Sequence, residues 1–315
     1  MKQKASDIAI IGMGCMFPKA PDLYTYWRNI IDKVNAITEV PADRWDWRAY
    51  YDPDPTAPNK VYSKWGGFLE PIVINPMDYG MPPNTLKHIE PLQLLTLETV
   101  RAAMEDAGYT DRPFERERAS VIMGVITTVP DLGQQYVLRS NLPLFAKDLS
   151  PDMWEGLPEW SEDSFPGIIA NVTAGRVANR FNLGGVNYTV DAACSSAMAA
   201  LAAGVGELEN GTSDMAIVGG VETIQNPWAY LCFSKTQSLS PTGQTRTLDE
   251  SADGVVISEG AGVVILKRRV DAERDGDRVY ALIRGVGASS DGRGKALTAP
   301  HTKGQQRALH RAYAK

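Results

Sequence analysis

Apolar residues in this chain fall into two kinds of run. Short, nearly continuous apolar stretches at residues 7–12, 119–125, 186–190, 215–220, 261–267 and 279–287 have the length and β-branched content of strands. The stretch at 7–12 is apolar enough to lie inside a sheet with both faces covered. Between them, apolar residues recur at helical spacing. Residues 21–34 carry Leu23, Tyr26, Trp27, Ile30 and Ile31, which predicts a surface helix with Trp27 in the core. Residues 91–108 carry Leu92, Leu95, Leu97, Val100 and Met104 and stop at Gly108. Further helices are expected at 170–180, from Cys194 through Leu208, and at 304–314. Strand, helix and strand across residues 186–220 predict a parallel crossover unit.

Two stretches, about 40–80 and 127–165, show little periodicity and read as irregular excursions laid over the domain. Trp45 and Trp47 are expected to pack the first of these down rather than to line a ligand groove. Residues 227–239 read as a loop in which Cys232 is packed, and Ser240-Pro241-Thr242-Gly243 as a turn. The charged residues 268–278 read as a solvated helical bridge between the last two strands. No repeat and no linker composition is visible.

Composition narrows the function classes. At 315 residues, 43% hydrophobic and 22% charged, the chain can bury a sizeable core as one large domain or two smaller ones. Thirty-two basic against 38 acidic residues give a net charge of −6, which argues against nucleic-acid binding but allows a local basic patch for an acidic partner. Cys15, Cys194 and Cys232 form no metal spacing and cannot all pair, which fits a reducing cytoplasm without a structural disulfide. The apolar run after Met1-Lys2-Gln3-Lys4 is too short for a signal peptide, and no window reaches the roughly 18 apolar residues of a membrane helix, so a cytoplasmic protein is expected. Gly12-Met13-Gly14 begins like a dinucleotide fingerprint, but Phe17 replaces the third glycine and Pro18 interrupts the helix. Asp291-Gly292-Arg293-Gly294-Lys295 lacks the earlier glycine and the hydroxyl residue of a P-loop. No bound cofactor and no metal are expected.

The chemistry concentrates at Asp191-Ala192-Ala193-Cys194-Ser195-Ser196. A strand, a sharp turn and a helix meet there, and a cysteine in a first helical turn faces backbone N–H groups and the positive end of the dipole, which stabilise a thiolate. Cys194 is therefore a candidate nucleophile, against the plainer reading of a small buried hydrophobe. The small residues after it (Ala197, Ala199, Ala200, Ala202, Ala203, Gly204) suit a helix packed tightly on several sides.

These six residues closely resemble the active-site signature of the β-ketoacyl synthases, the condensing enzymes of fatty-acid and polyketide assembly. The resemblance runs from Asp7 to Lys315. It includes the Gly-Met-Gly-Cys opening followed by Phe17-Pro18, which leaves Cys15 a structural residue, and Thr245-Arg246-Thr247-Leu248-Asp249 with Ala252-Asp253-Gly254. Leu248 stands where the family usually has phenylalanine. Ser258-Glu259-Gly260-Ala261-Gly262 and Thr298-Ala299-Pro300 with Gln305 complete it. Within the family, residues 75–84 and 164–167, with Ile89-Glu90-Pro91-Leu92-Gln93-Leu94, are similar to the branch found in polyunsaturated fatty-acid and glycolipid-type iterative synthases.

The resemblance implies an α/β fold of thiolase type, layered α-β-α-β-α and usually dimeric. Residues 1–300 would form the N-terminal half and 301–315 the start of the second. It implies acyl transfer from the phosphopantetheine of a carrier protein to Cys194, whose backbone N–H serves as one oxyanion donor. Decarboxylative condensation with a malonyl-carrier follows. It also implies the remaining domains of a larger synthase as partners. The family's two enolate-stabilising histidines, in a His-Gly-Thr-Gly-Thr run and a Gly-His run, are missing from these 315 residues. His88, His301 and His310 fall in a helix lead-in, a loop and an exposed helix face, and are expected to be structural or solvated. The expected reading is thus the N-terminal portion of a ketosynthase domain, inactive in condensation by itself. The alternatives are a thiolase-fold acyltransferase and a non-condensing partner subunit.

Overall fold

The computed structural model describes residues 7–126, 128, 130–145, 150–293 and 299–314. The apolar run after Asp7 forms β1 (Ile8–Met16), followed by α1 (Leu23–Ile31) and a small antiparallel pair, β2 (Ile37–Glu39) with β3 (Trp65–Gly67). Then come α2 (Pro91–Asp106), β4 (Ala119–Gly124), α3 (Asp131–Phe145), α4 (Ser164–Ile168), α5 (Val172–Arg180) and β5 (Asn187–Val190). The chain continues through α6 (Ser196–Glu209), β6 (Met215–Glu222), α7 (Pro227–Lys235), β7 (Gly260–Arg268), α8 (Arg269–Asp275), β8 (Ala281–Ile283) and α9 (Thr302–Tyr313).

Six strands form one sheet in the order β5-β4-β6-β7-β1-β8. β4 pairs in parallel with both β5 and β6, while β6, β7, β1 and β8 alternate in direction. The expected crossover is therefore present with one strand inserted, because β5 and β6 are parallel but flank β4. All six residues of β4 are buried, as a strand covered on both faces requires. Val121 and Met123 join α2 and α5 in one core, and Ile122 joins Ala200, Val205 and Leu208 of α6 in another. Period-two alternation thus serves two helical layers at once.

Glycines set how close those layers come. The Gly12 and Gly14 that imitate a dinucleotide fingerprint lie inside β1. A Cβ at Gly12 would sit 2.6 Å from the Ala103 carbonyl oxygen, and one at Gly14 2.4 Å from that of Thr99. They let α2 lie directly on the strand. The described residues build three layers, α2 and α5, the sheet, and α6, out of the five expected of the complete fold.

Several expectations need correcting. Trp27 is 60% exposed and α1 buries none of its residues, so it is not a core side chain. Residues 227–235 are the helix α7 rather than a loop, capped by the Asn226 side chain at the Ala229 N–H, and Cys232 is exposed rather than packed. The strand expected at 279–287 shrinks to the three residues of β8. α6 is packed on one face only: Ser196, Ala200, Gly204, Val205 and Leu208 are buried, while Met198 is 62% exposed. Trp45 does pack as expected, donating to the Gln225 carbonyl and stacking edge-on against Tyr230.

The charged segment 268–278 is also more than a solvated bridge. Asp271 and Ala272 of α8 are buried, and Lys267 at the end of β7 is 4% exposed. Its ammonium donates to Asp275 at 2.5 Å, Asp277 at 2.8 Å and the Tyr109 hydroxyl at 2.9 Å. Asp277 also receives Arg112 at 2.7 Å. Burial works against the Lys267 charge, yet these partners hold its pKa above the ordinary lysine value. The cluster fixes α8 at the end of the sheet where β4 and β6 begin.

Candidate active site

At the opposite end, where the parallel strands finish, Val190 of β5 lies in register with Gly124 of β4. The chain then turns through residues 191–195 into α6. Asp191 accepts the Ala193 N–H on Oδ1 at 2.9 Å. The Ser196 hydroxyl accepts the Ala192 N–H at 2.9 Å and donates to the Ala193 carbonyl at 2.7 Å. The N–H groups of Ser195 and Ser196 bond to the carbonyls of Ala192 and Ala193 at 3.1 and 3.0 Å. Four of the five N–H groups from Ala192 to Ser196 are thereby taken within the turn. Among the described residues no acceptor meets the fifth, that of Cys194.

The turn is held at a conformational cost. Ala193 has φ +50°, a left-handed backbone that a residue with a Cβ adopts at roughly 1 kcal/mol or more. Cys194 follows it and is exposed. Ser195 is the cap of α6, so Cys194 stands one residue outside the cap rather than in the first turn, as the sequence pattern suggested. It still lies next to the positive end of the helix. Two glycines let α6 begin this close to the sheet: a Cβ at Gly124 would come 2.4 Å from the Ser196 carbonyl carbon, and one at Gly220 2.7 Å from the Ala197 Cβ.

Of the other resemblance-bearing segments, the one around Asp253 has a scaffold role. Asp253 accepts the Ser240 and Thr242 hydroxyls, both at 2.7 Å, and pairs with Arg246. Leu248 stands on the surface with φ +63°. Thr298, Gly294 and Lys295 lie outside the described residues. His88 is buried with Nδ1 2.7 Å from the Tyr136 hydroxyl, His301 precedes α9, and His310 is exposed on it. The structure gives none of the three histidines a contact with Cys194. Cys15 is buried in β1, and burial, with help from Asp22, pushes its thiol up to about 11. That is the behaviour of an inert structural cysteine.

Four carboxyl groups gather at the same end of the sheet, a feature that no spacing in the sequence announces. Glu90 caps α2 yet accepts the Gly133 N–H at the start of α3 at 2.8 Å. Asp131 accepts from Asn226, Glu222 caps the N–H groups of Thr223 and Ile224, and Glu259 receives Arg44 at 2.9 Å and the Leu69 N–H at 2.7 Å. Glu90, Asp131 and Glu259 border a cleft of about 720 Å³. Burial raises all four, and pushes Glu90 up to about 7 against the pull of the Gly133 N–H.

A carboxyl group raised on folding binds its proton more tightly in the folded chain. Its stabilising contribution is therefore complete below the ordinary value of 4.5 and is lost as pH rises to about 7. For Glu90 this amounts to about 3 kcal/mol. Glu90→Gln keeps an acceptor for the Gly133 N–H and removes the titration. The stability advantage of this variant over wild type is expected to grow by that amount between pH 5 and pH 8 in urea denaturation. An advantage that does not change with pH would refute the assignment.

The Beta-ketoacyl synthase, N-terminal domain family model matches residues 5–272, and the chain belongs to that family. It is 35% identical over 316 residues to polyketide synthase PksN of Bacillus subtilis, covering 99% of this chain and 5% of that protein. It is equally 35% identical, over 318 residues, to a polyunsaturated fatty acid synthase polypeptide of Thraustochytrium, covering 97% of this chain and 11% of that protein. The oxazolomycin ketosynthase domain OzmH KS7 of Streptomyces albus superposes with a TM-score of 0.82 at 32% identity, over 98% of this chain and 50% of that one. The ketosynthase from module 6 of the Bacillus subtilis bacillaene synthase gives 0.80 at 30% identity, over 98% and 48%. The chain thus spans about half the length of the solved ketosynthases and a small part of the curated synthases. No described helix is long and apolar enough to cross a membrane.

Proposed function

We propose that these residues form the acyl-accepting half of a ketosynthase, with residues 1–300 as its N-terminal part and 301–315 opening the second. Cys194 is the nucleophile and its own N–H is one oxyanion donor. The observation that carries this reading is the turn itself, which presents an exposed thiol beside a helix start and, among the described residues, bonds each N–H from Ala192 to Ser196 except that of Cys194.

Atoms balance simply in the transfer. The Cys194 sulfur attacks the thioester carbonyl carbon of an acyl group carried on phosphopantetheine, the carrier thiol leaves with a proton, and a new thioester remains on Cys194. The tetrahedral intermediate places negative charge on the former carbonyl oxygen, which is where a preorganised N–H lowers the barrier. Condensation then needs donors for the enolate formed when malonyl-carrier loses carbon dioxide. In this reading the two histidines that supply them come from sequence outside residues 1–315. The carrier domain and the remaining parts of a larger cytoplasmic synthase are the partners. β5, at the sheet edge with Asn187 and Tyr188 exposed, is suited to pair with the same strand of a second copy, giving a homodimer.

The test is acyl loading in the complete natural polypeptide. Incubation with an acyl-carrier thioester is expected to add the acyl mass to the peptide containing Cys194, and malonyl-carrier is then expected to release carbon dioxide. Loading without release would favour a non-condensing acyltransferase; absence of loading at Cys194 would end the proposal.

A further inference from the structure

Ser196 is 7% exposed, and its hydroxyl is spent on the backbone of the turn, accepting from the N–H of Ala192 and donating to the carbonyl of Ala193. These two groups flank the peptide that carries the left-handed φ of Ala193. A left-handed alanine reverts to the ordinary right-handed or extended backbone unless its neighbours hold it. Such a reversal would re-aim the next N–H, which is that of Cys194. Asp191 grips the same turn from the strand side, through the Ala193 N–H.

We infer that Ser196 is a positioning residue for acyl transfer: its hydroxyl closes the turn and thereby aims the Cys194 N–H at the oxygen of the incoming thioester. The inference rests on the reading of Cys194 as nucleophile and adds how its oxyanion donor is fixed. Ser196 donates no proton to the substrate and forms no bond to it. Gly124, whose missing side chain leaves room for the Ser196 backbone, makes the placement sterically possible but does not orient the N–H.

Two reactions at one sulfur separate positioning from a general structural role. Alkylation of Cys194 by iodoacetamide displaces iodide at a saturated carbon and forms no oxyanion. Acyl transfer from an acyl-pantetheine thioester forms one and depends on the donor. Both rates are to be read at the Cys194 peptide by mass spectrometry, in the complete natural polypeptide. Ser196→Ala is expected to lower acyl transfer about tenfold more than alkylation, equivalent to about 1.4 kcal/mol of transition-state stabilisation. Ser196→Thr, which keeps the hydroxyl, is expected to restore the ratio.

Should Ser196→Ala fold poorly, Asp191→Ala loosens the same turn from the other side and is expected to shift the ratio in the same direction. An unchanged ratio in a wild-type background that loads normally would overturn the positioning role while leaving Cys194 as nucleophile. A wild-type protein that alkylates but never loads at Cys194 would overturn the nucleophile reading, and this inference with it.

Discussion

Cys194→Ala is expected to reduce acyl loading of the complete polypeptide by roughly a thousandfold or more, because the variant has no atom with which to form the covalent intermediate. The side chain is exposed and carries no packing, so the melting temperature should stay close to that of wild type. Residual loading would have to come from another nucleophile. Ser195 and Ser196 lie next in the chain, but the Ser196 hydroxyl is occupied by backbone groups. Cys15 is buried with its thiol raised to about 11, and Cys232 is exposed on α7, away from the turn in sequence and element. Peptide mapping distinguishes these cases. A variant that still loads at near wild-type rate, at any residue, would remove Cys194 from the mechanism.

The largest expected effect on stability lies at the other end of the sheet. Lys267→Met removes the cation from a cluster in which Asp277 has no exposed side-chain surface and Asp275 is held down to about 2 by Arg274 and Lys267. Breaking a buried ion pair leaves an uncompensated charge, which typically costs 3–5 kcal/mol. Here Arg112 and the Tyr109 hydroxyl remain on Asp277, so about 3 kcal/mol is expected. That corresponds to a fall in Tm of roughly 4–5 °C for a chain of 315 residues. Adding Asp277→Asn to the variant removes the stranded carboxylate and is expected to recover part of the loss. Calorimetry of the three proteins decides the matter: if the single variant melts with wild type, the cluster is not holding α8 to the sheet. Loading at Cys194 should be little affected below the melting transition, since the two sites lie at opposite ends of the strands.

Much of this was legible in the order of residues. Uniform apolar runs marked β4, β6 and β7, and the spacing of Leu92, Leu95 and Val100 marked α2. Asp191 to Ser196 announced the turn, because a strand, a cysteine and a run of small residues occur together there. Where the reading failed, the reason was packing that sequence spacing does not record. Trp27 has the right periodicity for a buried face, but α1 finds no surface to bury it against among the described residues. Residues 227–235 are helical although Pro227 and the mixed side chains after it read as a loop; the Asn226 cap and the buried Ala229, Tyr230 and Ser234 outweigh that weak local preference.

The sequence by itself therefore determined the family of the fold and singled out Cys194 as the candidate nucleophile. Each is a matter of residue identity in a local pattern. Only the tertiary structure decided that Gly12 and Gly14 seat a helix rather than a phosphate, that Glu90, Asp131, Glu222 and Glu259 converge, and that the Ser196 hydroxyl bonds the backbone on both sides of a left-handed Ala193 while, among the described residues, no acceptor meets the Cys194 N–H. These depend on how close two backbones come and which hydrogen bonds are already taken, quantities that exist only once distant segments are packed together.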